Sequence, residues 1–160
     1  MYARLLVFHL PQRVEVLRRL WDAVAPGDHL VVQDYDFRAI GAEPPLRSVQ
    51  EIARVMAGAF EAVGCDVRAG ARLPLLFAQA GIGAPDGTDV AGRIGSLAEG
   101  REVLRQTLIS LLPAVVAHEV TTHDDAEALL EALDRGVVSS SDHSLLWPLL
   151  IGSWKRKEQT

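Results

Sequence analysis

The sequence predicts an α/β fold, because apolar residues follow a helical period in some segments and form short continuous runs in others. From Pro11 to Val24 they recur three and four positions apart, which is typical of a helix with one buried stripe. Pro26 and Gly27 end that pattern. Leu30 to Gln33 then form an apolar run typical of a strand buried on both faces of a parallel sheet. A helix leading into such a strand is half of a doubly wound unit.

Four further helices are predicted from capping residues, apolar spacing and closing glycines or prolines. Two start at a capping box, in which a serine and a glutamate three positions later bond each other's backbone N–H groups: Ser48 with Glu51, and Ser96 with Glu99. Pro113 is expected to kink or end the second of these helices, because proline has no N–H to donate. The four helices are expected at about Ser48 to Val63, Leu75 to Ala80, Ser96 to Pro113 and Thr122 to Gly136.

Two more strands are predicted, from about Val90 to Ile94 and from about Leu149 to Trp154, the latter directly after Pro148. The length of 160 residues predicts a single domain, residues 1–160. Three strands make a thin sheet for a chain of this length. The shortage favours sheet partners upstream of Met1.

Composition excludes several classes of partner. The net charge is −5, and outside the short run from Lys155 to Lys157 no basic face emerges, so we expect no nucleic-acid partner. The chain has a single cysteine, Cys65, which cannot form an internal disulfide. A chain without internal disulfides is typical of the cytoplasm, so a cytoplasmic location is expected. No apolar run reaches the ~18 residues of a membrane span, so no membrane association is expected.

A succession of short motifs runs from Ala3 to Asp36. Ala3 to Leu6 and His9 to Pro11 precede the first helix, Leu17 to Leu20 lies inside it, and Asp34 to Asp36 follows the strand. This succession resembles the segment after the fourth strand of class I S-adenosylmethionine-dependent methyltransferases of the small-molecule type. Their sheet order is 3-2-1-4-5-7-6, with strand 7 antiparallel. The resemblance implies a partial doubly wound, Rossmann-like sheet made of strands 5, 6 and 7 with flanking helices, the N-terminal half being absent.

The resemblance also implies a function, a methyl transfer from S-adenosylmethionine to a small-molecule acceptor. Ala3, Arg4 and His9 lie just past the position where the fourth strand of the family ends and where its members line the donor pocket, so they are the implied cofactor-binding residues; the alternative for His9 is a contact at the helix N-terminus. No catalytic side chain is assigned, because holding donor and acceptor in line supplies most of the rate. The glycine-rich loop and the ribose-binding acid have no counterpart here, so we expect the isolated chain to be inactive.

Asp34 and Asp36 are the candidate substrate-binding residues. They stand at the end of a predicted parallel strand, where open α/β sheets form their ligand crevice. Period two places both carboxylates on one side of the strand. One hypothesis is that either residue faces the methyl acceptor as a base or orienting group. The other is that one of them caps a backbone turn in the loop before Pro44 and Pro45.

Three further motifs are interpreted as structural. His118 and His123 stand five positions apart, about 140° around a helix, so they do not predict a zinc site. The segment from Gly81 to Gly87 has Asp86 in place of the third glycine of a dinucleotide loop, and it is interpreted as a helix end and a loop. Residues 142–144, Asp-His-Ser, are interpreted as a polar loop, since the chain has no Gly-x-Ser-x-Gly elbow.

A second functional hypothesis is a non-catalytic binding or dimerisation module derived from the same fold, and a third, weaker one is a small hydrolase. The strand from Leu30 to Gln33 is expected to have a bare edge unless Ala3 to Phe8 or another chain covers it. Because soluble proteins avoid unpaired apolar strands, we expect a homodimer or larger assembly built across that edge.

Overall fold

A computed structural model describes residues 1–139 and 142–159 of the chain. Over these residues it contains five α-helices and seven strands, which confirms the predicted α/β class. In chain order the elements are β1 (Tyr2–Arg4), α1 (Arg13–Asp22), β2 (His29–Asp36), β3 (Gly41–Glu43), α2 (Arg47–Ala62), α3 (Ala69–Gln79), β4 (Gly87–Ala91), β5 (Ile94–Ser96), α4 (Leu97–Ala117), α5 (His123–Ser139), β6 (Ser144–Leu146) and β7 (Leu149–Arg156).

The chain divides into two compact units, each assembled from separate stretches of sequence. The first comprises Met1–Asp36, Gly64–Ala91 and Leu149–Thr160, and the second comprises Phe37–Val63 and Gly92–Pro148. The single domain expected over residues 1–160 stays a prediction.

The first unit contains a four-stranded mixed sheet in the order β1-β2-β7-β4. Strand β1 is parallel to β2, whereas β7 is antiparallel to both β2 and β4. Strand β2 therefore has a neighbour on each side, and the N-terminal segment, through Tyr2 to Arg4, covers the edge that would otherwise be bare. The apolar run at Leu30 to Gln33 is typical of a parallel sheet, but only β1 is parallel to this strand, and β7 pairs antiparallel with all eight of its residues.

Helices α1 and α3 pack against one face of this sheet. Leu17 of α1 and Phe77 of α3 join Leu30 and Val32 of β2 in a core where all four side chains are fully buried. Helix α3 approaches the sheet closely at Gly70, where a Cβ atom would overlap the carbonyl oxygen of Asp34. Only glycine permits this approach without a shift of backbone atoms.

The second unit packs helices α2, α4 and α5 with a three-stranded antiparallel sheet in the order β3-β6-β5. Its core is apolar and closely packed, with Ile52 of α2, Leu108 of α4 and Leu133 of α5 at zero exposure. Leu145 of β6 belongs to the same core.

The predicted helix starts have mixed outcomes. The capping box at Ser96 is confirmed, since the Ser96 hydroxyl accepts the Glu99 N–H at 3.2 Å and Glu99 accepts the Ser96 N–H at 3.4 Å. Thr122 likewise accepts the N–H of Asp125 at 3.1 Å, at the start of α5. The box at Ser48 is wrong, because α2 begins at Arg47 and the N-cap residue is Leu46.

Other boundaries move because tertiary contacts outweigh local signals. Helix α3 begins at Ala69, six residues before the predicted start, and contains Pro74. Helix α4 continues past Pro113 to Ala117, and α5 continues past Gly136 to Ser139. The strand predicted from Val90 to Ile94 is in fact two strands, β4 and β5, which belong to different sheets.

Strands β1, β3 and β6 were not predicted. Each has three residues, which is too short to show a period of two in the sequence. Their pairing partners lie far away along the chain, so nothing local marks them.

Candidate functional site

Asp34 is the most deeply buried acidic residue near the predicted ligand crevice, with zero exposure. Its Oδ2 accepts the backbone N–H of Phe8 at 2.9 Å, and its Oδ1 accepts the N–H of Tyr35 at 3.0 Å. Burial raises the pKa of this carboxyl group, while the hydrogen bonds from Phe8, Tyr35 and Val7 act in the opposite direction. The hydrogen bonds of Asp34 hold the turn after β1, which is not the loop before Pro44 and Pro45 in which a cap was expected.

The turn that Asp34 holds links β1 to α1. Leu5 has a positive φ of 53°, and its N–H donates to the carbonyl of Gln33 at 2.9 Å. A single 3-10 turn, Val7–His9, follows, and the carbonyl of Phe8 accepts the N–H of Asp66 at 2.8 Å. The N–H group and the carbonyl group of Phe8 are therefore both hydrogen-bonded to neighbouring segments. These two bonds fix the direction in which the chain leaves β1.

Asp36 is the last residue of β2 and is 3% exposed. It lies on the same side of the strand as Asp34, as the period of two predicts. The structure corrects one detail, since both residues belong to the strand itself, which extends to Asp36. Strands β1 and β2 are parallel and Arg4 stands opposite Gln33, so the carboxyl ends of the two strands lie at one edge of the sheet.

The three predicted cofactor-binding residues do not share one surface. Ala3 is 8% exposed and belongs to the core beneath α1 and α3. Arg4 is exposed and, as the next residue of the same strand, lies on the opposite face of the sheet. His9 is exposed at the end of the 3-10 turn. Arg4 and His9 therefore remain available to a solute, whereas the Ala3 side chain is enclosed by the core.

Cys65 lies beside His9, a contact that the sequence did not predict. The cysteine Sγ is 3.8 Å from the His9 Nδ1. Burial raises the pKa of the Cys65 thiol, and the nearby Arg13 lowers it to a smaller extent. The thiol is thus held in its protonated form, which does not favour a nucleophilic role.

Asp66 was also missed, and it is a structural residue. Its carboxylate accepts the N–H of Arg68 at 3.0 Å and pairs with the Arg72 guanidinium at 2.9 Å. These contacts stabilise the first turn of α3, which begins at Ala69. The sequence offered no clear signal for this role, because the segment that follows contains Gly70 and Pro74, which helices disfavour.

The remaining motifs lie where loops and caps are expected. His118 follows the end of α4 and His123 begins α5, so they stand on either side of a turn. Gly81 ends α3 with a φ of 77°, and the loop after it leads to Gly87 at the start of β4, as predicted. Asp142 and His143 precede β6, and Ser144 is its first residue. Among the described residues, no three His, Cys, Asp or Glu side chains are grouped to hold a metal ion.

No protein-family model matches the chain, and no curated protein matches its sequence. Among solved structures, it is similar to phospholethanolamine N-methyltransferase 2 of Haemonchus contortus, in complex with phosphomonomethylethanolamine and S-adenosylhomocysteine. The similarity covers 99% of this chain and 33% of that chain, at 11% identity and a TM-score of 0.38. The chain thus spans about a third of the length of that structure. A similarity of this size does not assign a family.

In the part of the chain that the structure describes, no helix is both long and apolar enough to cross a membrane.

Proposed function

We propose that this chain is the C-terminal part of a small-molecule S-adenosylmethionine-dependent methyltransferase fold and is inactive in isolation. The observation that carries the proposal is the strand order β1-β2-β7-β4, in which β7 is antiparallel to both neighbours. If β1 corresponds to strand 4 of the family, this order reads 4-5-7-6, which is the corresponding half of the order that the sequence resemblance implies.

The carboxyl edge of β1 and β2 is the proposed ligand side. Open α/β sheets bind ligands outside the carboxyl ends of their parallel strands. Arg4 ends β1, Asp36 ends β2, and His9 ends the 3-10 turn that Asp34 holds through Phe8. In the proposal Arg4 and His9 face the methyl donor, Asp36 faces the acceptor, and Asp34 is a positioning residue that acts through Phe8.

S-adenosylmethionine would supply an already reactive methyl group, so the protein has to bind and align two molecules rather than provide a strong acid or base. The acidic glycine-rich loop and the ribose-binding acid of the family have no counterpart in this sequence. Without them the donor would be held only from one side. This is the reason for proposing that the isolated chain does not catalyse methyl transfer.

The alternative is a non-catalytic binding or dimerisation module derived from the same fold. It is favoured by the pairing of β1 with β2, which gives the central strand two neighbours without any further segment. The buried core beneath α1 and α3 supports the same alternative, because it gives this unit an apolar interior of its own.

The first test is titration calorimetry of the isolated chain with S-adenosylmethionine. We expect a dissociation constant weaker than about 10 μM, which corresponds to roughly 7 kcal/mol. Tighter binding would contradict the proposed dependence on missing loops. The coding sequence upstream of Met1 separates the two hypotheses: an in-frame strand and glycine-rich loop would support the methyltransferase, and an in-frame stop codon would favour the module.

If a longer reading frame exists, its product allows a test of the acceptor side. The Asp36→Asn variant should lower kcat while leaving donor affinity nearly unchanged, because Asp36 is proposed to face the acceptor. Glu61→Gln, an exposed change in α2, is the matched control. Unchanged kcat and acceptor KM in Asp36→Asn would remove this residue from the proposed site.

A further inference from the structure

The hydrophobic core of the first unit lies on only one face of the four-stranded sheet, and the opposite face contributes no residue to it. The residues that pack with α1 and α3 are Ala3, Leu30 and Val32, which lie on one side of the sheet. The alternate residues point to the other side. Tyr2 is 59% exposed there, Arg4 and Asp89 are exposed, and Val31 and Trp154 are half-buried. We call this surface, formed by Tyr2, Arg4, Val31, Gln33, Gly87, Asp89, Gly152 and Trp154, the open face.

The strand register arranges the open face in rows that cross all four strands. Arg4 pairs with Gln33, Gln33 with Gly152, and Gly152 with Asp89. A second row runs from Tyr2 through Val31 and Trp154 to Gly87. The first row has a cation at the β1 edge and an anion at the β4 edge. Because three strand spacings of about 4.8 Å separate these edges, the two charges cannot pair within one chain.

We propose that the open face binds the open face of a second copy of this chain. The two copies are related by a two-fold axis that is parallel to the strands and lies between the two sheets, midway between β2 and β7. This axis keeps each row of residues at the same position along the strands. It reverses the order of the strands, so that β1 of one copy lies over β4 of the other and β2 lies over β7. Arg4 of each copy then faces Asp89 of the other, and Val31 of each faces Trp154 of the other. Sheets packed face to face keep their strand directions within about 30° of each other, which this axis allows.

The shape of the face suits this arrangement. The Trp154 ring lies over Gly87, where a Cβ atom would overlap the ring, and the Gln33 side chain lies over Gly152. The two glycines let these long side chains fold down along the sheet. The face is therefore flatter than its sequence implies, and a second sheet can approach it.

The open face is smaller than a standard protein interface. Strands β1, β2, β7 and β4 have three, eight, eight and five residues, and at a spacing of about 4.8 Å and a rise of roughly 3.3 Å per residue they cover roughly 400 Å². Stable complexes bury about 800 Å² on each partner. We therefore expect a dimer with a micromolar dissociation constant that weakens as salt screens the two ion pairs.

This inference does not rest on the proposed function, and because both proposals use the Arg4 side chain, it is tested without a methyl donor. It also differs from the sequence expectation of assembly across the edge of the strand at Leu30, because β1 occupies that edge. The charges identify the occupant, since Arg4 and Asp89 are complementary only when a second copy supplies the other residue.

Sedimentation of the full chain over about 5 to 300 μM, a range chosen to span micromolar affinity, is the first measurement. We expect a monomer–dimer equilibrium. Arg4→Glu and Asp89→Arg should each weaken the dimer at least about tenfold. The control is Arg68→Glu, which reverses a charge at an exposed site outside the open face and should leave the equilibrium unchanged.

An equimolar mixture of the Arg4→Glu and Asp89→Arg variants should form a heterodimer. In that pair the two substituted side chains have opposite charges and face each other across the interface. The unchanged Asp89 of the first variant faces the unchanged Arg4 of the second, so both ion pairs are present again.

A chain that stays monomeric over the whole range overturns the proposal. So does a dimer that neither single variant weakens, or a mixture of variants that yields no heterodimer. A dimer sensitive to Arg4→Glu but not to Asp89→Arg would indicate pairing through the β1 edge and would also overturn it. Both residues are exposed, and circular dichroism checks that each variant is folded.

Discussion

Asp34 and Phe8 are joined by a hydrogen bond of 2.9 Å from the Phe8 backbone N–H to a carboxylate that is completely buried. The bond connects β2 to the turn after β1, in addition to the ladder between the two strands. A buried carboxylate that accepts backbone N–H groups is stabilised by them but still loses its hydration. The balance of these two effects decides how the protein responds to pH.

Asp34 should make the protein less stable as the pH rises from about 4 upwards. Its pKa is raised by burial, so the folded state holds the proton more tightly than the unfolded state, whose aspartates have a pKa of about 3.9. Stability contributed by the protonated form is present below that value and is lost as the pH rises through the raised pKa. Urea unfolding of wild type and Asp34→Asn from about pH 3.5 to 7 should show the wild type losing stability relative to the variant. A relative gain would mean that the hydrogen bonds outweigh burial.

Asp86 should respond in the opposite direction. The Arg156 N–H and the Lys155 ammonium, each at 2.7 Å, hold the pKa of this carboxyl group below its usual value. Its contribution to stability is therefore present above the unfolded pKa and is lost as the pH falls through the lower, folded pKa. Asp86→Asn should be less stable than wild type at neutral pH, and the difference should vanish in strong acid. Equal stability at neutral pH in the same urea experiment would show that the contact contributes nothing.

Lys157 should stabilise the C-terminal end of α1. Its Nζ donates to the carbonyl oxygens of Trp21 and Val24, both at 2.9 Å, where a helix end presents partial negative charge. Lys157→Met should lower the free energy of unfolding by about 1 to 3 kcal/mol, because these carbonyl groups lose their partner. Arg54→Met removes an exposed ion pair in α2 and should cost less than about 1 kcal/mol. Similar losses in the two variants would contradict this role.

Gly70 should be intolerant of even one added methyl group. In Gly70→Ala the new Cβ meets backbone atoms of β2, so α3 has to move and the free energy of unfolding should fall by about 1 to 3 kcal/mol. Gly136→Ala is a matched helical control, since a Cβ there meets no described side chain closer than 3.8 Å. Alanine at that position should raise stability by about 0.5 to 1 kcal/mol. A neutral Gly70→Ala variant in thermal or urea unfolding would show that α3 packs less tightly against β2.

The elements that the sequence predicted are those with a local cause. Helix α1 has a clear apolar stripe, and the Ser96 and Glu99 pair needs only four residues to form a cap. The errors concern elements without a local cause. Pro74 lies inside α3, and Ser48 lies within the first turn of α2 although its spacing from Glu51 matches a cap. In both places packing against another segment selects the conformation.

In the candidate site too, some features follow from the local sequence and others depend on contacts with distant residues. Period two along β2 is enough to place Asp34 and Asp36 on one side of the strand, and it is a property of the extended backbone. The burial of Asp34 and its bond to Phe8 depend on the turn after β1, which is 26 positions away in the sequence. The sequence therefore left open whether the carboxylate faces a ligand or a backbone turn, and the contact with Phe8 joins it to the turn after β1.

The sequence by itself determined the α/β class, the apolar faces of the main helices and the positions of the longest strands, because these follow from side-chain period and local capping. Only the tertiary structure decided the second sheet β3-β6-β5, the division of the chain into two units and the contrasting environments of Ala3 and Arg4. Strand pairing joins residues that lie far apart in the chain, as between Tyr35 and Leu150. Such pairing depends on which surfaces can be buried together. Local sequence patterns therefore do not predict which strands pair.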